Sequence, residues 1–141
     1  MKKFIVLMVS ALLLVSVSAF ATPVFFDDFN SENGGNGLRN FNDFSQWDID
    51  YGTVDLVGGT YFPELAYDGL SVDLDGSTGD AGRMTSIEFD VIDGQKYTFS
   101  FDIAGNQRGG ANDTFQVVVY FSDYSEIFSL AADVDWHRVT R

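Results

Sequence analysis

Apolar and polar residues alternate with a period of two along much of this chain. Leu70, Val72 and Leu74 alternate with Ser71, Asp73 and Asp75. Ile87, Phe89 and Val91 alternate with Glu88 and Asp90, and Tyr97, Phe99, Phe101 and Ile103 alternate with Thr98, Ser100 and Asp102. That alternation sends one set of side chains into a core and the other into water, the signature of half-buried β-strands. Asp93-Gly94 separates the second of these strands from the third, because Gly accepts the positive φ that a tight turn demands. By the same reasoning Trp47–Tyr51, Thr53–Val57, Thr114–Phe121 and Glu126–Leu130 read as strands, and another begins at Trp136. Gly58-Gly59, Ala104–Asn112 and Asp123-Tyr124-Ser125 read as turns, and Tyr61–Asp68 as a loop marked by Pro63, which has no N–H for a ladder. Residues 22–141 contain no amphipathic helix of useful length. Seven or eight short strands at hairpin spacing predict an all-β fold, an antiparallel β-sandwich of the jelly-roll kind, built as one domain over residues 22–141.

The first 21 residues follow a different pattern. Lys2 and Lys3 precede an apolar run from Phe4 to Val17, and Ala19-Phe20-Ala21 supplies small residues at cleavage spacing. This is the pattern of a secretory signal peptide cut after Ala21, and the run is shorter than the roughly 20 apolar residues of a membrane span. The expected mature chain is therefore secreted, extracellular or on the cell surface, with no membrane span of its own.

Charge and composition narrow the partners. Eight Lys and Arg against 21 Asp and Glu give a net charge of −13. Removing the two leader lysines takes this to −15 (−13 less two). Such a chain repels phosphate backbones, which argues against nucleic acid, and it suits cations. There are 14 phenylalanines and no cysteine, so an exported domain must hold itself by core burial, or by burial and a metal, without disulfides. The absence of cysteine also excludes thiol catalysis and thiolate zinc. His137 is the single histidine and reads as a surface residue.

Three groups of residues have chemistry to offer. Paired acids recur (Asp27/Asp28, Asp48/Asp50, Asp73/Asp75, Glu88/Asp90), as in glycosidases, but most sit on the wet faces of strands. Asp73–Asp80 (DLDGSTGD) has the oxygen-rich, glycine-turned look of a calcium loop; an EF-hand is excluded because its twelfth position is Met84 and a strand precedes it. A polar turn capped by its own aspartates is the equal alternative. If calcium binds, one structural Ca2+ is expected, with ligands from Asp28, Asn30 and Glu32 and from Asp73 and Asp75. The third group is aromatic and amide-bearing. Tyr51, Tyr61, Phe62, Tyr67 and Tyr124 lie in or beside loops, where a ring can stack on a sugar or simply cover an open sandwich end. Asn106, Gln107 and Arg108 form a polar loop tip able to bond sugar hydroxyls or neighbouring aspartates.

The stretches SVDLDGSTGDAG, GQKYTFSFDIAGNQRG and WDIDYGTVDLVG together resemble the galactose-binding-like jelly-roll domains of exported bacterial proteins, of the PEP-CTERM sorting-domain type and related to a plant cell-wall domain family. The resemblance covers most of Phe25–Arg138. It implies a non-catalytic surface or extracellular-matrix domain; with the loop residues above, the expected partner is a polysaccharide or cell-surface glycan, contacted through Tyr51, Tyr61, Phe62, Asn106, Gln107 and Arg108. Members of that type end in a strand like L-D-N-V, then a Pro-Glu-Pro tripeptide, a membrane helix and a basic tail. None of these follows Arg141, so the last strands are expected to be missing. The alternatives are a structural or adhesive surface protein without sugar specificity and a glycan-active hydrolase.

Overall fold

A computed structural model describes residues 22–141, so the expected signal peptide lies outside the described residues. The fold is all-β. Among the described residues eight strands, β1 (Trp47–Tyr51), β2 (Asp55–Val57), β3 (Ser71–Asp73), β4 (Arg83–Ser86), β5 (Ser100–Ile103), β6 (Asp113–Val119), β7 (Tyr124–Leu130) and β8 (His137–Thr140), pair as four two-stranded antiparallel ladders. Single 3-10 turns at Glu32–Gly35 and Pro63–Leu65 are the helical elements among the described residues. None of these is long or apolar enough to cross a membrane.

The pairings nest. β1 pairs with β4 around the inner pair β2–β3, and β5 pairs with β8 around the hairpin β6–β7. Each half of the chain is thus a folded-back ribbon.

The first half holds the tightest core. Val54 and Leu56 are fully buried, and Phe41, Phe44 and Leu70 close around them. Phe29, Trp47, Ile49, Val72, Leu74 and Met84 pack on the outside of that cluster. Phe41 meets Phe44 edge to face with centroids 4.6 Å apart, a favoured aromatic geometry. The second half is built on a run of aromatic contacts. Phe99 stacks on Phe101, Phe101 meets Phe128 edge-on, and Phe128 stacks on Phe115 at 5.2 Å. Phe101, Phe115 and Phe128 come from the apolar faces of β5, β6 and β7, as period two requires, and Phe99 lies just before β5. Ile103, Ala132 and Val139 are buried beside them.

Several strands differ from the expected limits. The strand expected at Ile87–Val91 lies earlier, at Arg83–Ser86. Its partner β1 starts at Trp47, opposite Ser86, and only one further bond, from Ile87 N–H to the Gln46 carbonyl, continues the pairing. Beyond that point Ile87, Val91 and Ile92 are exposed, while Phe89 packs against Phe25. Asp93-Gly94 does form a turn, closed by Gln95 N–H to the Ile92 carbonyl with Gly94 at φ 75°, but no ladder flanks it. The strand expected from Tyr97 is regular only from Ser100, although Phe99 and Arg141 exchange backbone bonds just past the ladder's end. The β6–β7 turn falls at residues 120–123, so Tyr124 and Ser125 belong to β7 and Phe121 leaves the core face to touch Phe89 and Tyr97.

Leu56 is the keystone of the first core and makes a direct test. Leu56→Ala should lower unfolding free energy by about 3 kcal/mol, since its cavity cannot collapse easily among fully buried neighbours. Urea unfolding followed by tryptophan fluorescence should show an earlier midpoint with an unchanged slope.

Candidate functional site

The residues expected to bind calcium separate into three groups, each with its own protein donors. Asp28 accepts from Asn30 N–H at 3.0 Å within its own turn. The Asn30 side-chain oxygen accepts from Leu70 N–H at 2.7 Å, tying the N-terminal segment to the approach to β3. This contact needs Gly69: at φ 102° it suits glycine, and a Cβ there would overlap the Asn30 side chain. Glu32 is buried at 4% exposure, and its carboxylate takes donors from the Ser45 N–H and, at 2.5 Å, the Ser45 hydroxyl. Asp73 accepts from Asp75 N–H and forms an ion pair with Arg108. Among the described residues no three His, Cys, Asp or Glu side chains group so as to hold a metal.

Asp55 anchors the loops. It is 4% exposed yet carries a carboxylate on β2, and it accepts from Asn40 N–H (2.7 Å), Ser77 Oγ (2.6 Å), Tyr61 Oη (3.1 Å) and Ser77 N–H (3.3 Å). Burial pushes its pKa up, but these donors together outweigh burial and hold the carboxyl below its ordinary value. Three separate loops are fixed to one side chain.

The expected sugar-binding residues are partly brought together. Tyr61 is half-buried and uses its hydroxyl on Asp55, while its ring meets Phe62 edge-on at 4.6 Å. The Arg108 guanidinium lies over the Phe62 ring, 5.7 Å from its centroid, and pairs with Asp73. Phe62 and Arg108 therefore converge, although 46 positions separate them. The neighbouring amides serve the loop itself. Asn106 accepts from Arg108 N–H, and the Gln107 side chain donates to the Gly105 and Val134 carbonyls. Tyr51 stands apart at the end of β1, 65% exposed.

A more open arrangement lies where the 58–70 loop meets the β5–β8 ladder. Tyr67, Asp102, Trp136, His137 and Arg138 line a hollow of about 370 Å³. Tyr67 and Trp136 face one another with centroids 5.5 Å apart and planes tilted by 31°. The ladder places Asp102 opposite Arg138, and the guanidinium forks onto the carboxylate, Nε to Oδ1 at 2.9 Å and Nη2 to Oδ2 at 2.7 Å. That fork holds the Asp102 pKa below the ordinary carboxylate range and raises that of Arg138. Both groups stay charged. Tyr67 is recognisable in the sequence as a loop aromatic. Trp136, Asp102 and Arg138 are not, because their meeting depends on a register between strands 36 residues apart.

No protein-family model matches this chain, and no curated protein or solved structure is significantly similar to it.

The Asp55 clamp generates a pH prediction. A carboxyl with a lower pKa folded than unfolded stabilises the fold above the ordinary value of 3.8, and that contribution is lost as pH falls through the folded pKa. Asp55→Asn should cost about 2 kcal/mol at neutral pH by leaving donors badly matched. The gap between variant and parent should narrow as pH drops below about 4. Parallel denaturant melts across that range measure both effects.

Proposed function

We propose that this chain is an exported, non-catalytic β-sandwich of the galactose-binding-like type that binds carbohydrate at the cell surface or in the extracellular matrix. The hollow at Tyr67 and Trp136 carries this reading. Two aromatic rings beside a charged acceptor and donor are what a sugar needs, since its C–H faces are apolar and its rim is all hydroxyl. The volume sits at the lower end of the range for small-molecule sites, enough for about one or two sugar rings. Phe62 with Arg108 supplies a further exposed ring and charge on the loop side.

For a glycan-active enzyme, four of the 21 acids can be set aside as the proton donor. A glycosidase needs one carboxyl with a raised pKa to protonate the leaving oxygen. Asp50, Asp55, Asp102 and Glu126 are unsuited to that role, because their donors hold each below the ordinary range, Glu126 at about 2 through Arg141 and Tyr124.

One observation favours the adhesive alternative. Thr114, Gln116 and Val118 on β6 lie opposite Ser129, Ile127 and Ser125 on β7, and all six face solvent without a charge among them. In a chain of 21 acidic residues such a face is the natural place for a flat, unselective contact.

Binding to immobilised polysaccharides separates the two. Trp136→Ala and Tyr67→Ala should each weaken binding at least about tenfold, or 1.4 kcal/mol, while Ile127→Lys should leave it unchanged. Loss with Ile127→Lys but not with the ring variants would favour adhesion.

A further inference from the structure

The Asp102–Arg138 couple does more than line the hollow. The fork uses Nε and Nη2 of Arg138, which leaves Nη1 with no protein partner among the described residues. The Asp102 carboxylate has lone pairs beyond the two that the fork occupies. The Arg138 side chain is 67% exposed and that of Asp102 29%, so both free edges open to a ligand. An anionic acceptor and a cationic donor therefore stand side by side next to Tyr67 and Trp136.

That pairing complements two adjacent hydroxyls. One donates to the carboxylate while its neighbour accepts from the guanidinium, and the ion pair survives intact. Acidic sugars fit worse. A uronic carboxylate would compete with Asp102 for Arg138 and leave Asp102 as an unpaired charge, which costs more than a lost neutral bond. The whole chain adds a long-range bias, because a net charge of −13 repels polyanionic glycans until salt screens it. Stacking on the two rings is indifferent to charge and supplies affinity without class selection.

We infer that the hollow takes a neutral pyranose glycan bearing free vicinal hydroxyls, packed on the open side of the mutually contacting Tyr67–Trp136 pair, with Asp102 and Arg138 as the residues that set specificity. This inference rests on the carbohydrate-binding reading above and narrows it.

Calorimetric titration of the full chain with neutral hexasaccharides of glucose, mannose and xylose, and with a galacturonic acid hexamer, tests the inference. Titrations run at about 20 and 200 mM salt bracket the screening of surface charge. At least one neutral hexasaccharide should bind with less than a twofold change between the two salts, and the uronic hexamer should bind at least tenfold more weakly. Asp102→Asn and Arg138→Gln, checked for folding by near-UV circular dichroism, should each weaken the neutral ligand about tenfold. Tighter binding of the uronic hexamer would overturn the neutral class and leave carbohydrate binding standing. Full neutral-sugar affinity in folded Asp102→Asn, with loss in Trp136→Ala, would overturn the role given to the ion pair. Failure of every sugar to bind would overturn both the inference and the reading beneath it.

Discussion

One buried carboxylate holds the loops of this protein in place. Asp55 sits on β2 at 4% exposure and gathers donors from Asn40, Tyr61 and Ser77, residues of three loops that share no strand. A buried charge is costly unless its lone pairs are satisfied, and here four donors satisfy them. In a chain with no cysteine, such a hub does the work a disulfide would do, tying distant loops through one point. Glu32 repeats the device on a smaller scale, with Ser45 as its partner. Acidic residues, which in excess work against compactness, are used here as internal fasteners.

The hollow depends on that fastening. Tyr61 is bonded to Asp55 at the start of the loop that leads through Pro63–Leu65 to Tyr67. The far end of the same loop is held by Asn30 on Leu70 N–H and by Ser71 Oγ on Tyr67 N–H. Tyr67 therefore reaches Trp136 from a loop pinned at both ends, so the two rings are positioned in advance. The opposite wall is a β-ladder, whose register fixes Asp102 against Arg138. Site geometry thus comes from one clamped loop and one pair of strands, brought together from the two halves of the chain.

Much of the fold was legible because period two reports burial directly. Phe115, Val117 and Val119 on β6 and Phe101 and Ile103 on β5 face inward as their alternation predicts. Alternation does not report pairing. Ile87–Val91 has the pattern of a strand, but β1 opposite it begins at Trp47, so the partner runs out and the segment becomes extended without a ladder. Turn-forming residues predict the hairpin turn at Asp123-Tyr124-Ser125. The ladder instead closes at Val119 with Tyr124, which keeps Tyr124 against Phe99. Which side chains converge was not legible in the sequence. Loop aromatics and a polar tip could be named from sequence, and Phe62 with Arg108 do meet. Asp73–Asp80 has the composition of a metal loop, yet Arg108 and Ser77's bonds to Asp55 account for much of its polarity through contacts 22 to 35 residues away, which no local pattern records.

The most direct test of this account is a two-dimensional amide NMR titration of the folded protein with a neutral hexasaccharide. Binding at the hollow predicts saturable shifts concentrated at Tyr67, Asp102, Arg138 and the Trp136 indole N–H, with the β6–β7 hairpin unchanged. Shifts confined to that hairpin or to the 104–112 loop, or a spectrum unmoved by any neutral sugar, would contradict it.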